Sequence, residues 1–335
     1  MIRKLIRFSE DIINQCYNPQ EFLDEILGRA EKGIFNLVSY HGVDYFISIK
    51  QRVLKVLEHL NAVAKSKGDV TGIPTGFHEL DYKFSGLQAS DLIIIAARPS
   101  MGKTAFALNI AQHICFKENL CVAIFSLEMN GEQLINRLLS MQSGVNAQAI
   151  RNESMNDHEW MGIVESADAI AKSKLIIDDT TNISISELRS KCQKYRREEG
   201  LSVVIIDYLQ LMKGRGRNES RQEEISGISR SLKALARELN VPVIALSQLN
   251  RQSTKREDYK PMMSDLRDSG AIEQDADVIM FLHRDEYYTK EKSEMKGITE
   301  VLIAKQRNGP IGTVELVWLE KYTRFANKEF ERNTH

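Results

Sequence analysis

Short, continuously apolar runs mark the chain after residue 70, and longer amphipathic segments separate most of them. Strands that are buried on both faces of a parallel sheet have continuous apolar runs instead of an alternating pattern. The pattern therefore predicts an α/β fold with a mostly parallel central sheet. Its expected strands are Leu92–Ala97, Cys121–Phe125, Leu175–Ile177, Val203–Ile206, Val241–Leu246 and Val278–Leu282.

The last apolar runs predict a hairpin at the edge of this sheet. Glu300–Ala304 and Thr313–Leu319 are joined through Asn308-Gly309-Pro310, a turn-forming sequence. One of the helical segments between the strands begins with a capping box that runs from Ser184 to Glu187.

The first 65 residues have a different pattern. Apolar residues recur at helical spacing before Asn18-Pro19, again up to about Val38, and again from about Ile47 to Lys65. Three such helices form either a small bundle or a linker whose apolar face needs a partner. A polar stretch follows at residues 65–69, so we expect a helical region at 1–66 and a separate α/β domain at 67–335.

Composition narrows the class of protein without naming a function. The 335 residues carry 45 Lys and Arg against 46 Asp and Glu, and 42% of them are hydrophobic, which excludes disordered and fibrous chains. No apolar run approaches the ~20 residues of a membrane span. The N-terminus lacks the apolar core of a signal peptide. The four cysteines are widely spaced, so we expect a cytoplasmic protein without a disulfide framework.

The strongest single signal is a phosphate-binding loop after the first strand, at Ala97–Thr104. Backbone N–H groups at the start of the next helix would cradle the phosphates, Lys103 would reach the β- and γ-phosphates, and Thr104 would hold Mg²⁺. Ala97 occupies a position that is usually glycine, which fits if its φ is negative. A turn that merely contains Gly-Lys-Thr is the less favoured alternative. The expected nucleotide ligands are Arg98, Ser100, Met101, Gly102, Lys103, Thr104 and Ala105.

Three other polar residues follow predicted strands. Asp207 ends an apolar strand and would support the Mg²⁺ ion, unless it only caps a turn. Glu128 is the candidate base for the attacking water, and the alternative is a surface carboxylate before a helix. Gln248 would hydrogen-bond the γ-phosphate and sense its loss, and the alternative is a solvated amide. Ligands of open α/β sheets bind at such carboxyl ends of strands.

Taken together, the motifs closely resemble the replicative DNA helicases of the DnaB family. The resemblance covers about residues 70 to 320, in order, and the combination is far more specific than any one motif. It rests on the loop above and on residues 71–81, 126–129, 206–212, 247–251, 265–277 and 304–310.

The resemblance implies a RecA-like ATPase motor that assembles as a ring of six, uses ATP and Mg²⁺, and acts on single-stranded DNA. It makes residues 1–66 a linker and subunit-docking region, and the family's N-terminal helical domain has no counterpart before it. A helicase loader and a primase become candidate partners, and no membrane is involved.

The resemblance also gives Lys305 and Arg307 the role of basic fingers that reach the ATP of the neighbouring subunit, and it adds Arg251 to the nucleotide site. Two cations two residues apart on a strand project to the same face. Without the resemblance, a pair of charges that protects an edge strand would be the preferred interpretation.

Two basic segments are candidates for DNA contact. Arg215, Arg217 and Arg221 lie in or next to a glycine-bearing loop that suits a phosphate backbone, although such a loop is often only solvated. By resemblance, Arg267, Asp268 and Gly270 line the pore, with Asp268 standing where the family more often has Glu. No aromatic residue interleaves these segments, so we expect a grip on the DNA backbone with little sequence preference.

The sequence therefore predicts an ATP-dependent replicative DNA helicase motor, with translocation toward the 3′ end implied by the family alone. A RecA-like recombinase or repair ATPase shares the nucleotide site but would form filaments. A DNA-indifferent module, in which nucleotide only sets the assembly state, is the second alternative.

Overall fold

The computed structural model describes residues 2–17, 26–31, 33, 49, 53–54, 57, 70–213, 221–249, 259–290 and 293–328. The chain divides into two compact units, Met1–Lys67 and Gly68–His335. In the first unit, helix α1 spans Ile2–Cys16 and leaves Ile6 and Ile13 half exposed. It ends just before the Asn18-Pro19 break, as the apolar spacing predicts.

The second unit is built on one sheet of nine strands, in the order β3-β2-β4-β5-β1-β6-β7-β8-β9. The first six strands are parallel, and β7, β8 and β9 each pair antiparallel with the strand before them. The strands are β1 Leu92–Ala97, β2 Cys121–Ser126, β3 Leu175–Asp178, β4 Leu201–Asp207, β5 Val243–Gln248, β6 Val278–His283, β7 Ile298–Gln306, β8 Gly312–Leu319 and β9 Arg324–Asn327.

Helices connect the parallel strands and cover both faces of the sheet. They are α2 His78–Phe84, α3 Lys103–Phe116, α4 Gly131–Ser143, α5 Ala147–Arg151, α6 Asp157–Lys172, α7 Ile185–Glu198, α8 Arg221–Leu239, α9 Gly270–Asp275 and α10 Asp285–Thr289. Among the described residues, 3₁₀ turns also lie at Leu209–Leu211, Met263–Ser269 and Glu320–Tyr322.

Two apolar layers hold the helices on the sheet. One face packs against α3 and α4 through Phe106, Ile110 and Leu138. The other packs against α7 and α8 through Leu188 and Leu232. Because β1 is buried along its whole length and lies between β5 and β6, its carboxyl end is fixed from both sides.

The predicted mixed α/β architecture is confirmed, and several details differ from the prediction. Strand β4 begins two residues earlier than expected, and β7 is longer at both ends. Strand β3 is half buried instead of fully buried, because it is the edge strand of the sheet. Strand β5 begins at Val243, two residues later than expected, after Pro242, which has no N–H to donate to a neighbouring strand. The antiparallel part of the sheet has a further strand, β9. The sequence did not predict it, because its four residues have no distinctive pattern of polarity.

Helices α6 and α7 begin with hydrogen-bonded caps, but the complete capping box lies at a different helix from the predicted one. The Ser184 hydroxyl accepts a hydrogen bond from the Glu187 N–H at the start of α7. The complete reciprocal capping box lies at α6, between Asn156 and Glu159. No helix within the described part of the chain is long and apolar enough to cross a membrane.

Candidate functional site

The phosphate-binding loop joins the carboxyl end of β1 to the first turn of α3. Ala97 is the last residue of β1, whose extended backbone has negative φ, so alanine is accommodated there. Gly102 has a φ of +89°, and a Cβ at this position would lie 2.9 Å from the Phe325 ring. The loop therefore needs glycine at Gly102 for both conformation and space. The first N–H groups of α3 are left without helical partners, as phosphate binding requires.

Thr104 and Asp207 meet at this end of the sheet. The Thr104 hydroxyl donates a hydrogen bond of 2.6 Å to Asp207 Oδ2. The other carboxylate oxygen, Oδ1, is buried and has no hydrogen-bond partner among the described residues. A buried oxygen of this kind calls for a ligand, and a hydroxyl next to a carboxylate suits the oxygen-preferring Mg²⁺ ion. The residues present therefore fit the predicted metal.

Lys103 lies over the face of the Tyr208 ring, with Nζ 4.6 Å from the ring centroid. Burial lowers the pKa of Lys103, while the charges of Asp207 and Glu128 act in the opposite direction. A half-buried ammonium that feels the charge of two carboxylates is placed to bind an anionic phosphate.

Glu128 is exposed and follows β2 by two residues. Its position is fixed from the neighbouring strand, since the Leu127 N–H donates a hydrogen bond of 2.6 Å to the carbonyl of Asp207. The two predicted acids thus lie on adjacent strand ends, and both act electrostatically on Lys103.

Arg137 is a further candidate for the site that sequence reasoning missed. It lies on α4, and burial lowers its pKa while Asp207 and Glu128 oppose that shift. An arginine that shares a helix face with the buried residues Leu134 and Met141 was the available signal, because a charge on a core-facing stripe needs a partner.

Gln248 ends β5 next to Ala97 in the sheet, so its side chain begins beside the phosphate-binding loop. Gln210 was also missed, although it stands inside one of the motifs that carry the resemblance. Its amide donates to the Ser247 hydroxyl at 2.8 Å and to the Gln248 carbonyl at 3.2 Å, and it accepts from the Gln248 N–H at 3.3 Å. Gln210 therefore ties the turn after β4 to the end of β5.

Arg98 belongs to the predicted nucleotide set, but its guanidinium is directed at protein groups. It donates to the Leu249 carbonyl at 3.1 Å and lies close to the Tyr288 phenol, whose pKa its charge acts to lower. Any contact of Arg98 with phosphate would then come from its backbone. Arg251, also predicted to bind nucleotide, lies outside the described residues.

Lys305 and Arg307 lie toward the amino ends of the parallel strands, whereas the phosphate-binding loop of the same subunit lies at a carboxyl end. Through β6, Lys305 is level with Ile94, and Arg307 is level with Leu92. Along the strands, Ala97 is five residue steps, about 16 Å, beyond Leu92 and three steps, about 10 Å, beyond Ile94. Both cations therefore lie away from the loop of their own subunit.

Both cations contact the carboxyl end of α9. Lys305 Nζ donates to the Glu273 carbonyl and, at 2.8 Å, to the Ala276 carbonyl. Arg307 donates to the Gln274 carbonyl at 2.6 Å and lies 3.5 Å from the Asp277 carboxylate. Cations at a helix carboxyl end satisfy carbonyls that have no helical partner.

The predicted DNA-contacting residues fall in different parts of the structure. Arg215 and Arg217 lie outside the described residues. Arg221 begins α8, pairs with Glu224 and donates to the Gln210 carbonyl. Arg267 and Asp268 belong to the 3₁₀ turn Met263–Ser269, and Gly270 begins α9, so these three share one continuous segment.

Comparisons with known proteins give a consistent result. Residues 72–327 match the family model described as the DnaB-like helicase C terminal domain. The chain is 48% identical over 330 residues to the replicative DNA helicase DnaC of Bacillus subtilis, covering 98% of this chain and 72% of that protein. It is equally similar, at 48% over 330 residues, to the replicative DNA helicase DnaB of Geobacillus stearothermophilus, with the same coverage.

Solved structures agree with these relatives. One of them, an isolated ATPase domain, aligns with a TM-score of 0.79 and 44% identity, covering 84% of this chain and 99% of that chain. A DnaB-like replicative helicase, described with its interactions with primase, aligns with a TM-score of 0.83 and 40% identity over 98% of this chain and 76% of that chain.

Proposed function

This chain belongs to the DnaB-like replicative DNA helicases, and from that premise we propose that it is an ATP-driven motor that works at the interfaces of a ring. The ring would have six subunits and would translocate on single-stranded DNA, unwinding the duplex ahead of it during replication in the cytoplasm. The 5′-to-3′ direction is carried over from the family.

The observation that carries this proposal is the separation of two sets of charges on one sheet. Lys103, Thr104 and Asp207 lie at the carboxyl ends of the parallel strands, whereas Lys305 and Arg307 lie toward the amino ends of these strands. A site that needs both sets must draw them from two subunits. Hydrolysis would then depend on assembly, as a ring motor requires.

In each subunit the loop and the α3 N-terminus would bind the triphosphate, with Lys103 neutralising its terminal oxygens. Thr104 and Asp207 would hold Mg²⁺, which when bound neutralises charge on the phosphates. Glu128 would take the proton of the attacking water, and Arg137 would supply positive charge close to Glu128 and Asp207.

The residues on the neighbouring strand and subunit would read the state of the nucleotide. Gln248 would hydrogen-bond the γ-phosphate, and Gln210 would pass a change at Gln248 to the turn after β4. Lys305 and Arg307 of the adjacent subunit would stabilise the charge that develops on the transferred phosphoryl group.

DNA would be bound through the segment that contains Arg267, Asp268 and Gly270 and through the basic residues Arg215, Arg217 and Arg221. Contacts of this kind go to phosphates and therefore carry little sequence preference. A helicase loader and a primase are the proposed protein partners, and a DnaB-like relative has been described with primase. Helices of residues 1–66 would dock on the adjacent motor.

Mixing two inactive variants tests the shared site. Lys103→Ala and Arg307→Ala should each abolish ATP turnover, while Arg307→Ala still binds nucleotide. When they are mixed, an intact loop from one variant meets intact fingers from the other, so activity should return in proportion to such interfaces. Arg151→Ala, which removes an exposed arginine on α5, is the matched control and should be fully active.

Two results would overturn the proposal. The first is normal hydrolysis by Arg307→Ala, which would remove the finger from the site. The second is a mixture that stays inactive at every ratio, which would mean that each subunit needs both residues itself.

A further inference from the structure

The Arg98 side chain makes contacts that its place in the phosphate-binding loop does not explain. The residue follows β1 directly, and its guanidinium is held between the end of β5 and helix α10. Its Nε atom is buried without a hydrogen-bond partner within the described residues. The guanidinium therefore sits in a protein environment and is not directed at a phosphate in solvent.

The first contact of Arg98 fixes the chain just after Gln248. Arg98 Nη1 donates to the carbonyl of Leu249, and the Leu249 N–H donates at 3.0 Å to the carbonyl of Ala97. Leu249 is also buried, with 2% of its surface exposed. The phosphate-binding loop thus grips the first residue beyond β5 from both its N–H and its carbonyl.

The second contact connects Arg98 to Tyr259 by way of Tyr288. The Arg98 guanidinium lies close to the Tyr288 phenol and acts to lower its pKa, and the Tyr288 ring stacks on Tyr259 with centroids 4.6 Å apart and planes 2° apart. The adjacent Lys260 pairs with the buried Glu300 on β7 at 2.7 Å. Tyr259 is therefore positioned from two sides, four residues before the 3₁₀ turn Met263–Ser269.

We propose that Arg98 is a positioning residue that couples the phosphate-binding loop to the DNA-contacting segment, through Leu249 on one side and the Tyr288–Tyr259 stack on the other. A displacement of the loop on hydrolysis would be delivered to Leu249 at the end of β5 and to Tyr259 before the 3₁₀ turn. The inference rests on the proposed function, since it assigns a route by which nucleotide and DNA affect each other.

The guanidinium suits this task better than an ammonium would. Its planar fork can donate to a carbonyl and a phenol oxygen at once in fixed directions, which a lysine cannot reproduce. Arg98→Lys should therefore lose coupling although it keeps the charge.

Tyr288→Phe is the sharpest test, because it removes the hydroxyl but keeps the ring that stacks on Tyr259. We expect its DNA-free ATPase rate and its KM for ATP to stay near those of the unmodified protein. The stimulation of ATPase by a single-stranded oligonucleotide should fall about three- to tenfold. Tyr287→Phe is the matched control: this neighbouring ring packs edge-on against Tyr288, and its hydroxyl has no part in the proposed route.

A double-mutant cycle separates coupling from general damage. If Arg98 acts through Tyr288, then Arg98→Lys combined with Tyr288→Phe should lose little more stimulation than Arg98→Lys alone. Thermal melting of each variant should accompany the rates. If Tyr288→Phe fails to fold, Arg98→Lys still tests the inference, because its stimulation by DNA and its KM for ATP are measured separately.

The inference is overturned if Tyr288→Phe keeps full DNA stimulation, if Tyr287→Phe loses as much, or if Arg98→Lys raises KM for ATP and leaves stimulation intact. Failure of the proposed function would appear differently. In that case the unmodified protein itself would show no stimulation by DNA.

Discussion

Two aspartates lie at opposite ends of the central strands and have different hydrogen-bond partners and neighbouring charges. Asp207 has one oxygen bonded to Thr104 and one without a partner among the described residues, at the carboxyl end of β4. Asp91 lies before β1, at the other edge, close to Asp277, Lys233 and Arg307. The same type of side chain is predicted to hold a metal at one end of the strands, whereas at the other end its pKa is set by burial and by neighbouring charges.

Asp207→Asn should reduce kcat for ATP by at least about a hundredfold, because a neutral amide cannot hold the metal that supports the phosphates. The hydrogen bond from Thr104 survives the change, so folding should be unaffected. The measurement is kcat as a function of Mg²⁺ concentration. Asp178→Asn is the matched control, since Asp178 also ends a strand but pairs with Lys191. Equal loss in both variants would contradict the assignment.

Asp91→Asn should change the pH dependence of stability. Burial, followed by the charge of Asp277, raises the pKa of Asp91 to about 6, and Lys233 and Arg307 only partly oppose this. The folded state therefore binds a proton more tightly than the unfolded chain, whose aspartate titrates near 3.9. Stability from this group is full below about pH 4 and is lost as the pH rises through about 6.

The Asn variant should accordingly be more stable than the unmodified protein above pH 7, by up to about 3 kcal/mol, and should match it near pH 4. Thermal melting across this range measures the difference. A difference that does not vary with pH would show that Asp91 is not the titrating group.

At the scale of elements, the strand ends were predictable and the contacts between them were not. Continuous apolar runs located β1, β2, β4 and β6 to within a few residues, because strands buried on both faces admit little else. Since parallel strands end at one edge, Lys103, Glu128, Asp207 and Gln248 could be grouped from the sequence alone. These assignments of role remain predictions.

The residues that sequence reasoning missed depend on packing between distant segments. Gln210 reaches β5 from the turn after β4, and Tyr288 meets Arg98 across 190 positions of sequence. No local periodicity encodes such contacts. The direction of the Arg98 guanidinium, away from the expected phosphate, is of the same kind.

Helix α4 carries the testable case among these elements. Arg137→Gln should lower kcat about ten- to hundredfold, because Glu128 and Asp207 would lose a nearby cation. The KM for ATP should change less, since the phosphate-binding loop is untouched. Steady-state kinetics with Arg151→Ala as control would check this, and a kcat within twofold of the unmodified protein would remove Arg137 from the site.

For the whole molecule, the sheet sets the logic of assembly. The carboxyl ends of its parallel strands carry the candidate nucleotide site, and toward their amino ends Lys305 and Arg307 cap α9, the helix that follows the proposed DNA-contacting turn. Stacking subunits edge to edge would bring these together. Lys305 and Arg307 would then leave or strain their contacts with α9 when they meet a neighbour's phosphate.

The central claim is that ATP turnover belongs to interfaces and responds to DNA. The most direct measurement is the ATPase rate per subunit against protein concentration, with and without a single-stranded oligonucleotide. We predict a rate that rises cooperatively with concentration and is stimulated by the oligonucleotide. A rate per subunit that is constant at every concentration and indifferent to DNA would contradict the account.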